Sequence, residues 1–264
     1  MFLAFVIALI AYVIASVHLW WALVQVKPVH RGLTLGLLVV GMLAHAVTLY
    51  PLIVTARGLN FNLFHTASLV GLFFLAFYAV FASYRPVLSL GVLATPLAII
   101  GLCLCYFGDA PYQPIAIISG GMTAHILLSI AAYCVLLMAT VQAVILKFQI
   151  RELKHRTSHR LWVNKLPPLQ SMESLLFDMI VLGFGLLTLA LGMGFVYVHD
   201  LLAQHIAHKT VLSVVSWLVY GGLIIGHWRA GLRGKRAANL TIIAFVLLAV
   251  GFLGSKFVLE IILT

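Results

Sequence analysis

The chain has 264 residues, of which 64% are hydrophobic and 8% charged, with a formal net charge of +10. Soluble domains carry about 25% charged residues, so a mean hydropathy of +1.16 excludes a water-facing globular fold and places the chain in a lipid bilayer. The positive charge does not indicate nucleic acid, because it is spread over short loops rather than gathered on one patch.

The first apolar run, Met1–Val26, has no preceding positive charge and is too long for a signal-peptide core, so it reads as a membrane span. Seven more apolar runs follow: Gly32–Thr55, Leu63–Ala82, Val87–Phe107, Met122–Leu146, Met172–Val198, Thr210–Trp228 and Ala238–Leu263. Each has about 19 to 27 residues, enough for a helix to cross a ~30 Å hydrocarbon layer. The runs are continuously apolar, not alternating, which favours helices over a barrel. No internal repeat or low-complexity tract is evident in the sequence.

Thirteen of the sixteen Lys and Arg residues fall in alternate loops: Lys27 and Arg31, Arg85, the six from Lys147 to Lys165, and the four from Arg229 to Arg236. The positive-inside rule assigns those loops to the cytoplasm. The expected fold is therefore all-α. It is a polytopic membrane helix bundle of eight transmembrane helices with both termini extracytoplasmic, a single transmembrane domain over 1–264, and no soluble domain. The longest loop, Lys147–Ser171, reads as a topology anchor that touches anionic lipid weakly.

Cys103, Cys105 and Cys134 all lie in apolar runs and read as packing residues. Histidine is the notable polar residue, with eleven copies. His18, His45, His125 and His227 fall within spans, and His65 opens the third. Imidazole is the mildest ionisable group to bury, and it serves either as a hydrogen-bonding group or as a metal ligand. His199, His205 and His208 cluster in the last outer loop and offer an alternative metal site. Lys256 and Glu260, four residues apart, read as a snorkelling pair. No nucleophile motif, phosphate loop or dinucleotide fingerprint marks an enzyme.

Several segments, in order, resemble the haem-handling cytochrome c assembly superfamily of integral membrane proteins. They are Gly41–Leu49 (GMLAHAVTL), Phe61–Leu72 (FNLFHTASLVGL), His125–Tyr133 (HILLSIAAY), Leu182–Gly194 (LGFGLLTLALGMG) and Trp217–Arg236 (WLVYGGLIIGHWRAGLRGKR). The resemblance implies a multi-pass protein of the inner (plasma) membrane that holds a non-covalent b-type haem, with His45 and His227 as the intramembrane axial ligands. His18 matches the depth of His45 and stays an alternative partner, while His125 belongs near the outer surface, away from their iron. The family's Trp-rich haem-presenting motif is missing: Phe195–Ser216 contains no tryptophan. No histidine follows the last span either.

The chain thus resembles a short branch that handles haem without a presenting platform. An accessory or scaffold subunit bound to another membrane protein, or a small-solute transporter, are the alternatives. The charge asymmetry generates a direct test. Reporter fusions at Thr264 should be active outside the cytoplasm, and fusions within Lys147–Ser171 inside it. A cytoplasmic C-terminus would remove one span from the count.

Overall fold

The structure is a computed structural model, and it describes residues 1–25, 29–56, 58–85, 91–108, 120–154, 167–197 and 207–251. Among these are eight helices: α1 (Phe2–Gln25), α2 (Arg31–Ile53), α3 (Leu63–Tyr84), α4 (Gly91–Phe107), α5 (Gly120–Lys154), α6 (Leu169–Tyr197), α7 (Ala207–Ala230) and α8 (Gly234–Ala249). Each expected apolar run overlaps one helix; residues 87–90 of the fourth run and 252–263 of the last lie outside the described residues. Six of them, α1, α2, α3, α5, α6 and α7, are long and apolar enough to cross a membrane. The described parts of α4 and α8 are shorter, at 17 and 16 residues.

Two local features differ from the sequence reading. Helix α5 does not stop at Leu146 but continues to Lys154, so the loop expected from Lys147 begins two turns later. The break between α2 and α3 closes as a small antiparallel ribbon, with Val54 opposite Leu59 and Thr55 opposite Gly58. Gly58 has φ 130° there, a conformation that residues with a Cβ rarely adopt. Asn62 then caps α3, its side-chain oxygen accepting the His65 amide at 2.8 Å.

The chain forms two compact units, Met1–Ile118 and Ser119–Thr264. In the first, α1 packs on α2 and α4, and α3 packs on the same two helices. In the second, α5 packs on α6 and α8, and α7 packs on the same two. Each unit is therefore a ring of four helices in chain order.

The polarity of α2 shows what solvent it is built for. Its buried positions are Thr34, Leu38, Gly41, His45, Thr48, Leu49 and Ile53, while Leu43 and Val47 are 65% and 62% exposed. A soluble helix would reverse this, with leucine and valine inward. In a bilayer, lipid covers apolar side chains at no cost, and the polar and small residues turn inward to pack and hydrogen-bond.

Small residues set the approach of α3 to α4. A Cβ on Gly71 would lie 3.2 Å from the Ala98 Cα, and one on Gly101 would lie 3.1 Å from both the Ala67 carbonyl oxygen and the Ser68 Cα. In the second unit, polar bonds tie the helices: Gln142 donates to the Met172 carbonyl at 3.0 Å and Ser216 to the Ala244 carbonyl at 2.8 Å. Trp217 stacks on Phe184, its indole N–H donating to Thr188 at 2.8 Å.

Because the Gly101 contacts are with backbone atoms, a side chain there cannot be absorbed by a rotamer change. Gly101→Val should destabilise the purified protein by roughly 1–3 kcal/mol, the usual cost of overpacking. The readout is a lowered midpoint of thermal aggregation in detergent. Gly36→Ala, where a Cβ meets nothing within 4 Å, is the neutral control.

Candidate functional site

His45 is fully buried at the middle of the first unit. Its Nδ1 lies 3.3 Å from the Tyr12 hydroxyl of α1, and its Nε2 lies 2.8 Å from the Ser68 hydroxyl of α3. Cys105 of α4 lies beside Ser68. Residues from three helices, α1, α2 and α3, thus join in one buried polar chain. Hydroxyls donate and accept, so either tautomer of His45 satisfies it. Gly41, one turn before His45, leaves the space that the Tyr12 ring fills. With both nitrogens engaged, this imidazole offers no free lone pair.

His125 is arranged differently. It sits half-buried near the start of α5, and its Nδ1 is 2.8 Å from the Ala190 carbonyl oxygen of α6. A carbonyl only accepts, so Nδ1 carries the proton and Nε2 keeps its lone pair. Gly194, one turn beyond Ala190, makes the room: a Cβ there would stand 3.0 Å from the ring. His125 lines a cavity of about 260 Å³ together with Ser129, Tyr133, Lys209 and Ser213. It is walled mainly by apolar side chains and carries one cation, Lys209.

His227 closes the turn between α7 and α8. Its Nδ1 donates to the Leu232 carbonyl at 2.9 Å, and its ring stacks on Phe177 with centroids 3.6 Å apart. This again leaves the lone pair on Nε2. His18 is half-buried beside His30, with ring centroids 6.2 Å apart. Its Nε2 is buried without a hydrogen-bond partner among the described residues. His65 is a local clamp, its Nδ1 donating to the Asn60 carbonyl at 3.1 Å.

Among the residues expected from the sequence, His18 and His45 lie in the first unit, and His125 and His227 in the second. Among the described residues, no group of three or more His, Cys, Asp or Glu side chains is placed to hold a metal ion. Cys103, Cys105 and Cys134 are free thiols. The outer cluster falls outside the described residues at His199 and His205 and at the His208 side chain, as do Lys256 and Glu260. The sequence reading missed Tyr12, Ser68, Ala190 and Gly194. These are small or polar residues inside apolar spans, which is the only signal they carry.

A model of the cytochrome c assembly protein family matches residues 36–263. The chain belongs to this family. It is 31% identical over 259 residues to the inner membrane protein YpjD of Escherichia coli K12, covering 97% of each chain. It is also 35% identical over 164 residues to a 28.8 kDa Azospirillum brasilense protein of a nifR3-like 5′ region, covering 58% of this chain and 59% of that one. No solved structure matches significantly. With its apolar helices, the family member described here is a multi-pass inner-membrane protein.

The His45 chain yields a stability prediction. Ser68→Ala leaves a buried imidazole nitrogen without its 2.8 Å partner, and should cost roughly 1–3 kcal/mol. Tyr12→Phe removes the longer 3.3 Å contact and should cost less. Thermal midpoints of the two purified variants check the order.

Proposed function

We propose that this protein handles haem, b-type and non-covalently held, in the inner membrane, as a single eight-span transmembrane domain with both termini outside. The observation that carries the proposal, beside family membership, is the state of His125. An axial ligand must offer iron a lone pair. A ligating histidine usually donates its other ring N–H to a carbonyl or carboxylate, which fixes its tautomer. His125 meets both conditions on the wall of a cavity, and Lys209 beside it supplies a cation for a haem propionate. His227 meets both conditions as well. When bound there, haem would supply a redox-active iron; the protein's part is to orient the imidazole and to hold the acidic edge.

The pairing of His45 with His227, or with His18, has a further requirement. His45 must first release Ser68 or Tyr12, each of which now holds one of its nitrogens. The residues of the second unit are therefore the first choice of ligands. Because Phe195–Ser216 has no tryptophan, a flat aromatic surface for presenting haem to an apocytochrome is absent from that segment. The proposed role is retention or relay rather than ligation.

The saturated cluster at His45 favours one second reading: an accessory subunit that kept the fold and uses this histidine structurally. An absorption spectrum of protein produced in a haem-replete host separates the two. Under the haem reading a Soret band is present, and it is lost or shifted by His125→Ala or His227→Ala. His45→Ala should instead lower thermal stability. A wild-type spectrum without a Soret band leaves the accessory reading.

A further inference from the structure

A second cavity in the Ser119–Thr264 unit, of about 760 Å³, is lined by the last three turns of α5 and the first half of α8. Four of its lining residues are cations: Lys147, Arg151 and Lys154 of α5, and Lys235 of α8. The rest are Val144, Phe148, Ile150 and Ile242, and no carboxylate lines it among the described residues. Glu173 of α6 comes near Gly234, but it is not on the cavity wall.

The three α5 cations follow a spacing of four and three residues, so they share one helix face and repel one another. The dipole of α5 accounts for part of this, since Arg151 and Lys154 occupy its last turn, where cations are favoured. It does not account for Lys147, two turns inside the end. It opposes Lys235, which sits in the first turn of α8, where a cation is disfavoured. That turn contains no acidic residue, and its N-cap, Arg233, makes no side-chain cap. Four cations, with no carboxylate among the described lining residues, therefore converge on one cavity, and an anion is the ligand such a lining suits.

The apolar half of the cavity identifies the anion's carrier. Helix α5 has 35 residues, about 52 Å at 1.5 Å per residue, against a hydrocarbon layer of ~30 Å. Its cationic end must project past the layer. Val144 stands about one turn before Lys147, and the 60% exposed Phe148 lies between Lys147 and Arg151 on the same cavity wall. A charged head beside Lys147, Arg151 and Lys235, with a chain lying along Val144 and Phe148, is the shape of a phospholipid at the interface.

We propose that this cavity is a binding site for an anionic phospholipid headgroup, with the four cations on the phosphate and the apolar wall on the first part of an acyl chain. The site is independent of any haem. The experiment is native mass spectrometry of the full-length protein in detergent, titrated separately with phosphatidylglycerol, phosphatidylethanolamine and inorganic phosphate. Wild type and the control Arg31→Gln, in the other unit, should retain phosphatidylglycerol over phosphatidylethanolamine. Lys147→Gln/Arg151→Gln should bind phosphatidylglycerol roughly tenfold or more weakly, the effect expected of two interfacial charges. The charge-preserving Lys147→Arg/Arg151→Lys should restore binding, which separates charge from folding. Equal retention of the two lipids, or a double variant no weaker than the control, would overturn the site. Full displacement of phosphatidylglycerol by millimolar inorganic phosphate would assign the cavity to a soluble phosphate and overturn the lipid.

Discussion

Burying an imidazole among four apolar helices imposes the main constraint on the first unit. His45 has no water to fall back on, and each unpaired ring nitrogen would cost about 1–3 kcal/mol. Tyr12 and Ser68 remove that cost, and each sits where it does because a glycine permits it. Gly41 leaves room for the Tyr12 ring, and Gly101 lets α4 close on the backbone at Ser68. Cys105, one turn beyond Gly101, lies beside the same serine. The packing of α1 on α2 and of α3 on α4 thus has one polar reason as well as the general van der Waals one. In lipid that polar reason matters more, because no hydrophobic force drives helices together.

The same residue type takes three roles, decided by what meets its second nitrogen. At His45 both nitrogens meet hydroxyls, and the ring is used up as a fastener. At His65 a loop carbonyl five residues away makes it a clamp on the start of α3. At His125 and His227 a carbonyl takes Nδ1 and leaves the lone pair on Nε2. Burial within the helices therefore does not rank these histidines by availability of a lone pair. The most deeply buried one is the most satisfied, and the half-buried ones keep a lone pair.

The helices were legible because a bilayer writes its demand directly into composition: long apolar runs, with basic residues at alternate ends. The continuation of α5 to Lys154 was not, because Lys147 through Lys154 are polar enough to read as loop while being good helix formers. The ribbon at Val54–Leu59 is too short to carry a pattern. Of the site, the histidines themselves stood out, and so did the family. Their partners did not. Tyr12 is 33 residues from His45, Ser68 is 23 away, and Ala190 is 65 from His125. Such pairs are set by which helices neighbour one another, and a single sequence does not encode that visibly. The clamp at His65 is local, with its partner Asn60 and the cap Asn62 within five residues of chain, but neither asparagine was singled out in the sequence.

Helix α5 carries residues of both cavities of the second unit, His125 near its start and Lys147 toward its end. His125 and Lys147 are 22 residues apart on one continuous helix, about 33 Å along its axis. The hydrocarbon layer is ~30 Å thick. If Lys147 marks the point where α5 leaves the layer, His125 is near the opposite interface, with Lys209 on the same cavity wall. An imidazole at that depth can hold a ligand whose charged edge stays hydrated, which a site at the bilayer centre cannot do without burying that charge. A phosphate held at the far end would pin the axial position of α5, and so the height of His125 in the membrane.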